Sequence, residues 1–167
     1  MIVRAALLAL LALLITGCGL RPLYGTGGSH PTKMALGAVQ VAPIDEQSGW
    51  LLRNALVDRL AAPSGSPEPR YRLEVRIDDD ITSFGLRRDA AATRERRTLR
   101  ARYQLVEIDT GLTLVDASAG FDAGIDITSS PYATVAAEQT ALERLTTEVA
   151  DDIVARLALY FRNRPQE

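Results

Sequence analysis

Residues 70–80 read Arg-Tyr-Arg-Leu-Glu-Val-Arg-Ile-Asp-Asp-Asp, and this stretch indicates how the chain folds. Apolar side chains recur at every second position from Tyr71 to Ile77, and charged side chains stand between them. A period of two is that of a β-strand with one buried face and one solvated face. The stretch therefore predicts a strand in a sheet that is covered on one side.

Two further strands follow from the same kind of pattern. Residues 94–108 repeat the alternation, and a change of phase at residues 105–106 predicts a β-bulge there. Residues 109–111, Asp-Thr-Gly, predict a hairpin turn in which the glycine can take a positive φ. Residues 112–127 predict the strand that returns from this turn.

Spacings of three and four predict two amphipathic helices. The first covers residues 50–60, with Ser48 as its N-cap. The second begins with Ser130 as cap and Pro131 in its first turn. It runs for about 30 residues, or roughly 45 Å, whereas a strand of ten residues runs only about 33 Å. Its first turns are therefore expected to overhang the sheet or to bend away from it.

A first strand is predicted at residues 35–42, before the first helix, so the element order is β-α-β-β-β-α. Helices with one apolar stripe must bury it against the sheet. The predicted fold class is α+β, a two-layer sandwich with two helices on one face of a four-stranded mixed or antiparallel sheet. Neither a repeat nor a second domain is visible.

The N-terminus predicts export and lipid anchoring. Arg4 is followed by a wholly apolar run from Ala5 to Ile15, which resembles a signal peptide and is too short for the roughly 20 residues of a membrane span. Residues 14–18, Leu-Ile-Thr-Gly-Cys, match the bacterial lipobox. The prediction is a cleaved signal peptide at 1–17, a lipidated tether at 18–33 that starts at an acylated Cys18, and one periplasmic domain at 34–167. The alternative is a plain secretory signal with an incidental cysteine.

Composition narrows the chemistry. The chain has one cysteine and one histidine, and His30 lies in the Gly- and Pro-containing tether, so a Ser-His-Asp triad and the usual zinc sites are disfavoured. The net charge of −2 does not favour a nucleic-acid partner. Residues 78–80 could ligate a cation, but a solvated strand end explains three consecutive aspartates better. The sequence predicts no enzyme, no cofactor and no metal site.

Arginine clustering is the remaining signal. The hairpin between the second and third strands carries the main candidates for binding an anion, which are Arg87, Arg88, Arg94, Arg96 and Arg97. Secondary candidates are predicted on the solvated face of the same strands, at Arg72, Arg76, Arg100 and Arg102. Guanidinium groups match phosphate well. The two interpretations left open are an anion-binding surface and a solvated face with local salt bridges.

Taken together, these residues resemble the lipopolysaccharide-assembly lipoproteins of Gram-negative bacteria, the LptE type. Residues 18–25, Cys-Gly-Leu-Arg-Pro-Leu-Tyr-Gly, are similar to the Cys-Gly-Phe-Arg-Pro-Leu-Tyr-Gly start of that family, with Leu20 where Phe is common. Residues 50–60 resemble the first helix of the family, residues 97–106 its central strand, and residues 130–157 its linker and closing helix.

The resemblance implies a non-enzymatic role. Such proteins plug a large outer-membrane β-barrel of the LptD type, help it assemble, and bind lipopolysaccharide as it reaches the outer leaflet. It also implies a lipid-anchored location on the periplasmic side of the outer membrane. The alternative is a periplasmic auxiliary lipoprotein of an ABC-type lipid transport system, which would work beside an inner-membrane permease.

Overall fold

The secondary structure comprises three helices and four strands in the part of the chain that the structure, a computed structural model, describes: residues 30–61, 67–86 and 92–164. The elements from Pro31 onward form one compact unit. In chain order they are α1 (His30–Gly37), β1 (Val39–Val41), α2 (Glu46–Leu60), β2 (Tyr71–Leu86), β3 (Ala92–Glu107), β4 (Thr113–Asp126) and α3 (Pro131–Asn163).

The strands form one mixed sheet in the order β1-β2-β3-β4. β1 lies parallel to β2, and the other two pairs are antiparallel. The predicted α+β class and the order β-α-β-β-β-α are confirmed, with α1 as an additional short helix before them. The predicted bulge is also confirmed, because the β3–β4 register shifts between Leu105 and Val106. Gly111 takes the predicted positive φ in the hairpin turn, at 69°.

Three boundaries differ from the predictions. The first strand begins at Val39 and not at residue 35, because the Ala-Leu-Gly run at 35–37 ends α1. Ser48 is not a cap, since α2 begins two residues before it and buries the serine side chain. β2 does not end with the three aspartates but continues to Leu86, because cross-strand pairing with β3 extends along the whole hairpin.

The core lies between the sheet and the two long helices. The odd-numbered residues of β2 and β3 from Tyr71 to Val75 and from Leu99 to Leu105 point inward and are buried. Gln47 Nε2 lies 3.3 Å from Gln139 Oε1, and Arg59 pairs with Asp151. Both contacts join residues 92 positions apart, so α2 and α3 run parallel and in step.

Helix α3 is continuous over its 33 residues, or about 50 Å. Its first two turns lie outside the core, since Tyr132 and Val135 are 90% and 62% exposed and the buried residues of the helix begin at Ala141. This agrees with the expectation that they overhang the sheet or bend away, although β3 and β4, with 16 and 14 residues, are nearly as long as the helix. Glu138, in the second to third turn, accepts a hydrogen bond of 3.0 Å through its carbonyl from Arg97 Nη1 of β3. The helix is therefore held to the sheet near this end.

Gly49 is where α2 packs closely on the segment that leads into it. A β-carbon there would lie 2.8 Å from Ile44 Cγ2 and 2.9 Å from the Ile44 carbonyl oxygen. In an exposed helix, Gly→Ala stabilises by about 1 kcal/mol. Here we expect Gly49→Ala to lower the free energy of unfolding by about 1–3 kcal/mol, as overpacking does.

Urea unfolding followed by circular dichroism measures this effect. Gly124→Ala is the matched control, because a β-carbon at Gly124 would meet no atom within 4 Å. Equal stability of the two variants would contradict the close packing of Ile44 on Gly49.

Candidate functional site

The solvated face of the sheet, here called the outer face, carries charge in stripes. It is formed by the even-numbered residues of β2, β3 and β4, because the odd-numbered ones point into the core. The central strand β3 supplies only basic charge to this face, and β4 supplies only acidic charge. The arginines of the outer face are Arg72, Arg76, Arg94, Arg96, Arg100 and Arg102, and its carboxylates are Glu74, Asp78, Asp80, Asp116, Asp122 and Asp126.

Most of these arginines have an acidic partner. Arg102 forms a bidentate pair with Asp116, at 3.1 Å from Nε and 3.0 Å from Nη2. These hydrogen bonds, with a third from Gln104, hold the pKa of Asp116 below its ordinary value. The other pairs on this face are Arg94 with Asp126 at 3.0 Å, Arg96 with Asp122 at 4.0 Å and Arg72 with Glu74 at 2.8 Å. These contacts engage four of the arginines that the sequence predicts as anion-binding candidates.

Arg76 and Arg100 are different, since neither forms an ion pair or side-chain hydrogen bond with any described residue. Arg76 is the cross-strand partner of Arg102, and like charges in that position repel each other. Arg100 stands diagonally to Arg76, at a Cβ separation of about 7 Å. The two guanidinium groups are therefore free to bind an anion.

An open depression in the outer face is lined by both free arginines. Its wall on the β4 side is low, because the residues there are Ser118 and Gly120. A β-carbon at Gly120 would lie 3.1 Å from Arg100 Cγ, so the aliphatic part of Arg100 lies across this glycine. Arg102 and the carboxylate of Asp78 also line the depression, and Asp78 is the direct cross-strand partner of Arg100. The arrangement can receive a phosphate or carboxylate group from the solvent side.

Arg97 does not belong to the outer face. It shares the inner face with Leu99, and its Nε and Nη2 donate to Asp79 at 2.8 and 2.7 Å. The side chains of Arg97 and Asp79 are only 14% and 11% exposed. Hydrogen bonding to Asp79 raises the pKa of Arg97. The predicted cluster of Arg94, Arg96 and Arg97 is therefore divided between two faces. Arg97 is two residues before the inward-pointing Leu99, and the alternation of the strand could have indicated that both share the inner face.

Several predicted residues lie outside the described part of the chain: Cys18, Arg87 and Arg88. The three aspartates at 78–80 do not converge, because Asp79 points inward and its two neighbours point outward. Within the described ranges, no group of three or more His, Cys, Asp or Glu residues could hold a metal ion. None of the described helices is long and apolar enough to cross a membrane.

Comparison with solved structures identifies proteins with the same fold. A lipoprotein from Caulobacter crescentus CB15 is 25% identical, with a TM-score of 0.66 over 80% of this chain and 97% of that chain. Rare lipoprotein B from Shewanella oneidensis is 9% identical, with a TM-score of 0.57 over 75% and 96%. The minor lipoprotein from Acinetobacter baumannii is 10% identical, with a TM-score of 0.57 over 73% and 91%.

Among curated proteins, a search finds no significant match to this chain. The family model LptE, described as Lipopolysaccharide-assembly, matches residues 36–157. This range begins in α1 and ends in the last turns of α3, so it includes every strand and α2. The resemblance found in the sequence is thereby confirmed: the chain belongs to the LptE family of lipopolysaccharide-assembly proteins.

Proposed function

We propose that this protein is an outer-membrane lipoprotein that assembles with a large LptD-type β-barrel, plugs its lumen and assists the delivery of lipopolysaccharide to the outer leaflet. The observation that carries the proposal is the family match over residues 36–157. The role is that of a structural and binding partner, without catalysis. Acyl chains on Cys18 hold the protein at the periplasmic side of the outer membrane, since two or more chains give stable anchoring.

The size of the domain is compatible with this role. A domain of about 150 residues has a radius of gyration of roughly 15 Å. Only barrels toward the large end of the known range of about 8 to 26 strands could enclose it. The two-layer sandwich also presents a face without helices, and that face carries the free arginines.

Binding of lipopolysaccharide is the second part of the proposal. Its phosphates would be bound by Arg76 and Arg100 in the depression of the outer face, because these two guanidinium groups have no partner among the described residues. Arg94 and Arg96 lie on the same face toward the hairpin end, and their exposed ion pairs can exchange for phosphate contacts. Arg97 is excluded from this role because Asp79 and the Glu138 carbonyl occupy its guanidinium group.

Purification of the full chain from membranes in mild detergent, with mass identification of what accompanies it, tests the proposed partner. We expect a β-barrel of outer-membrane size, together with lipopolysaccharide. Recovery of an inner-membrane permease instead would favour the ABC-type transport role and contradict the proposal. Cys18→Ser is the control for anchoring, and it should abolish the acylated form of the chain in the mass analysis.

A further inference from the structure

The edge of β2 that faces β1 is unpaired over most of its length. β1 pairs only with the first three residues of β2, from Tyr71 to Leu73. The last hydrogen bond of this ladder joins the Ala42 amide to the Leu73 carbonyl at 2.9 Å, and Pro43 follows without an N–H. No other described strand pairs with this side of β2. Residues 75–83 therefore form a free strand edge within the described part of the sheet.

The register identifies the backbone groups that point out of this edge. The Tyr71 amide donates to Ala38 and the Leu73 carbonyl accepts from Ala42, so odd-numbered residues of β2 are directed toward β1. Because direction alternates along a strand, the even-numbered residues bond to β3 and the odd-numbered ones continue to face the edge. The N–H and C=O groups of Val75, Ile77, Asp79, Ile81 and Ser83 thus form a row with a repeat of about 7 Å.

The side chains along this edge do little to block an added strand. Natural edges are commonly protected by lysine, proline or an inward-pointing charge. Here the inward charge, Asp79, is neutralised by Arg97. Ile77 is half-buried, and Ile81 is 40% exposed. Arg97, the cross-strand partner of Ile81, bonds to Glu138 of α3. The first turn of α2 contacts Gln139, the next residue of α3. From Ile81 onward, β2 therefore extends beyond the N-terminal end of α2.

The charges on the outer face beside this edge indicate what kind of strand fits. Asp78 and Asp80 point to the outer face, and neither forms an ion pair with a described residue, although Arg76 precedes them in the same row and Arg100 is the cross-strand partner of Asp78. We propose that residues 75–83 accept an extended segment of a partner protein as an added strand. On the inner face, the residues of this segment are apolar and contact Ile77 and Ile81. On the outer face, its residues are basic and lie beside Asp78 and Asp80. Backbone hydrogen bonds supply the binding, and this alternation supplies the selectivity. The inference goes beyond lipopolysaccharide binding and does not depend on it.

Amide hydrogen exchange by NMR tests the proposal on the ¹⁵N-labelled full chain in detergent. The probe is an acetylated nine-residue peptide of alternating valine and lysine. We expect it to slow exchange about tenfold or more at Ile77, Asp79, Ile81 and Ser83, and to leave the even-numbered amides between them unchanged, because those already bond to β3. A peptide of alternating valine and glutamate should give no protection.

Variants locate the effect at this edge. Ile81→Pro removes one edge N–H at a position where an edge strand tolerates proline, and should weaken peptide binding by about tenfold. Asp78→Asn with Asp80→Asn keeps the backbone intact and should weaken it by a similar factor. Gly124→Pro, on the free edge of β4, is the matched control and should have no effect. No protection, protection at Ser118 and Asp122 instead, or slow exchange of the odd-numbered β2 amides from Ile77 to Ser83 before peptide is added would each overturn the proposal.

Discussion

Replacement of Asp79 by alanine is expected to lower the free energy of unfolding by about 3–5 kcal/mol, because it leaves the largely buried Arg97 guanidinium without its counter-charge. Asp79 accepts two hydrogen bonds from Arg97, at 2.8 and 2.7 Å. The third contact of this guanidinium, to the Glu138 carbonyl, fixes the N-terminal part of α3 to β3. The loss should appear in urea or thermal unfolding and in faster amide exchange around Glu138.

The chain offers a matched control for this experiment. Asp116 pairs with Arg102 in the same bidentate manner, but on the solvated face. Since exposed ion pairs contribute little, Asp116→Ala should change stability much less than Asp79→Ala. The double variant Asp79→Leu with Arg97→Met removes both buried charges and should recover most of the loss. Equal effects of Asp79→Ala and Asp116→Ala would show that burial of the pair has no energetic consequence.

Neutralisation of the two free arginines is expected to weaken lipopolysaccharide binding by more than about tenfold. A hydrogen bond to a charged group contributes about 1.5–3 kcal/mol, and Arg76→Gln with Arg100→Gln removes such contacts at two positions. Neither arginine has an ion pair with a described residue, so the fold should be retained. Binding of labelled lipopolysaccharide to the purified full chain, with thermal unfolding as a parallel measurement, gives both results.

Arg53→Gln with Arg144→Gln makes the same change of charge on the two long helices, away from the outer face. This control should bind lipopolysaccharide as the unaltered chain does. If both double variants lose affinity equally, binding depends on net charge and not on the depression. If the Arg76 and Arg100 variant binds normally, the site lies elsewhere, and Arg94 and Arg96 become the next pair to replace.

Much of the fold could be predicted because both of its periodicities are strong in the sequence. Alternation in residues 70–80 and 94–108 placed the buried faces of β2 and β3 correctly, and the change of phase at 105–106 marked the bulge. The end of β2 could not be predicted, because consecutive aspartates are unfavourable in an isolated strand. In the sheet, Arg97 on β3 neutralises Asp79, and this pairing between distant residues carries the strand on to Leu86.

The candidate site was less predictable than the fold. Sequence patterns show which arginines share a face but not which of them a carboxylate already occupies. Asp116, Asp122 and Asp126 lie on β4, and their role as partners depends on the β3–β4 register. The structure therefore moves the emphasis from the main candidates, Arg94, Arg96 and Arg97, to Arg76 and Arg100, which were secondary. Arg87 and Arg88 stay predictions.

The striped outer face has a consequence for how an anion would approach it. Its six arginines and six carboxylates cancel in sum, because a basic row on β3 lies between an acidic row on β4 and a row of mixed sign on β2. The fields of such neighbouring rows cancel within a few ångströms of the surface, well inside the Debye length of about 8 Å at physiological salt. A phosphate-bearing ligand would not be attracted from a distance, and its association rate should vary little with ionic strength. Discrimination would begin only at contact, which suits a ligand that is delivered to the protein rather than captured from solution.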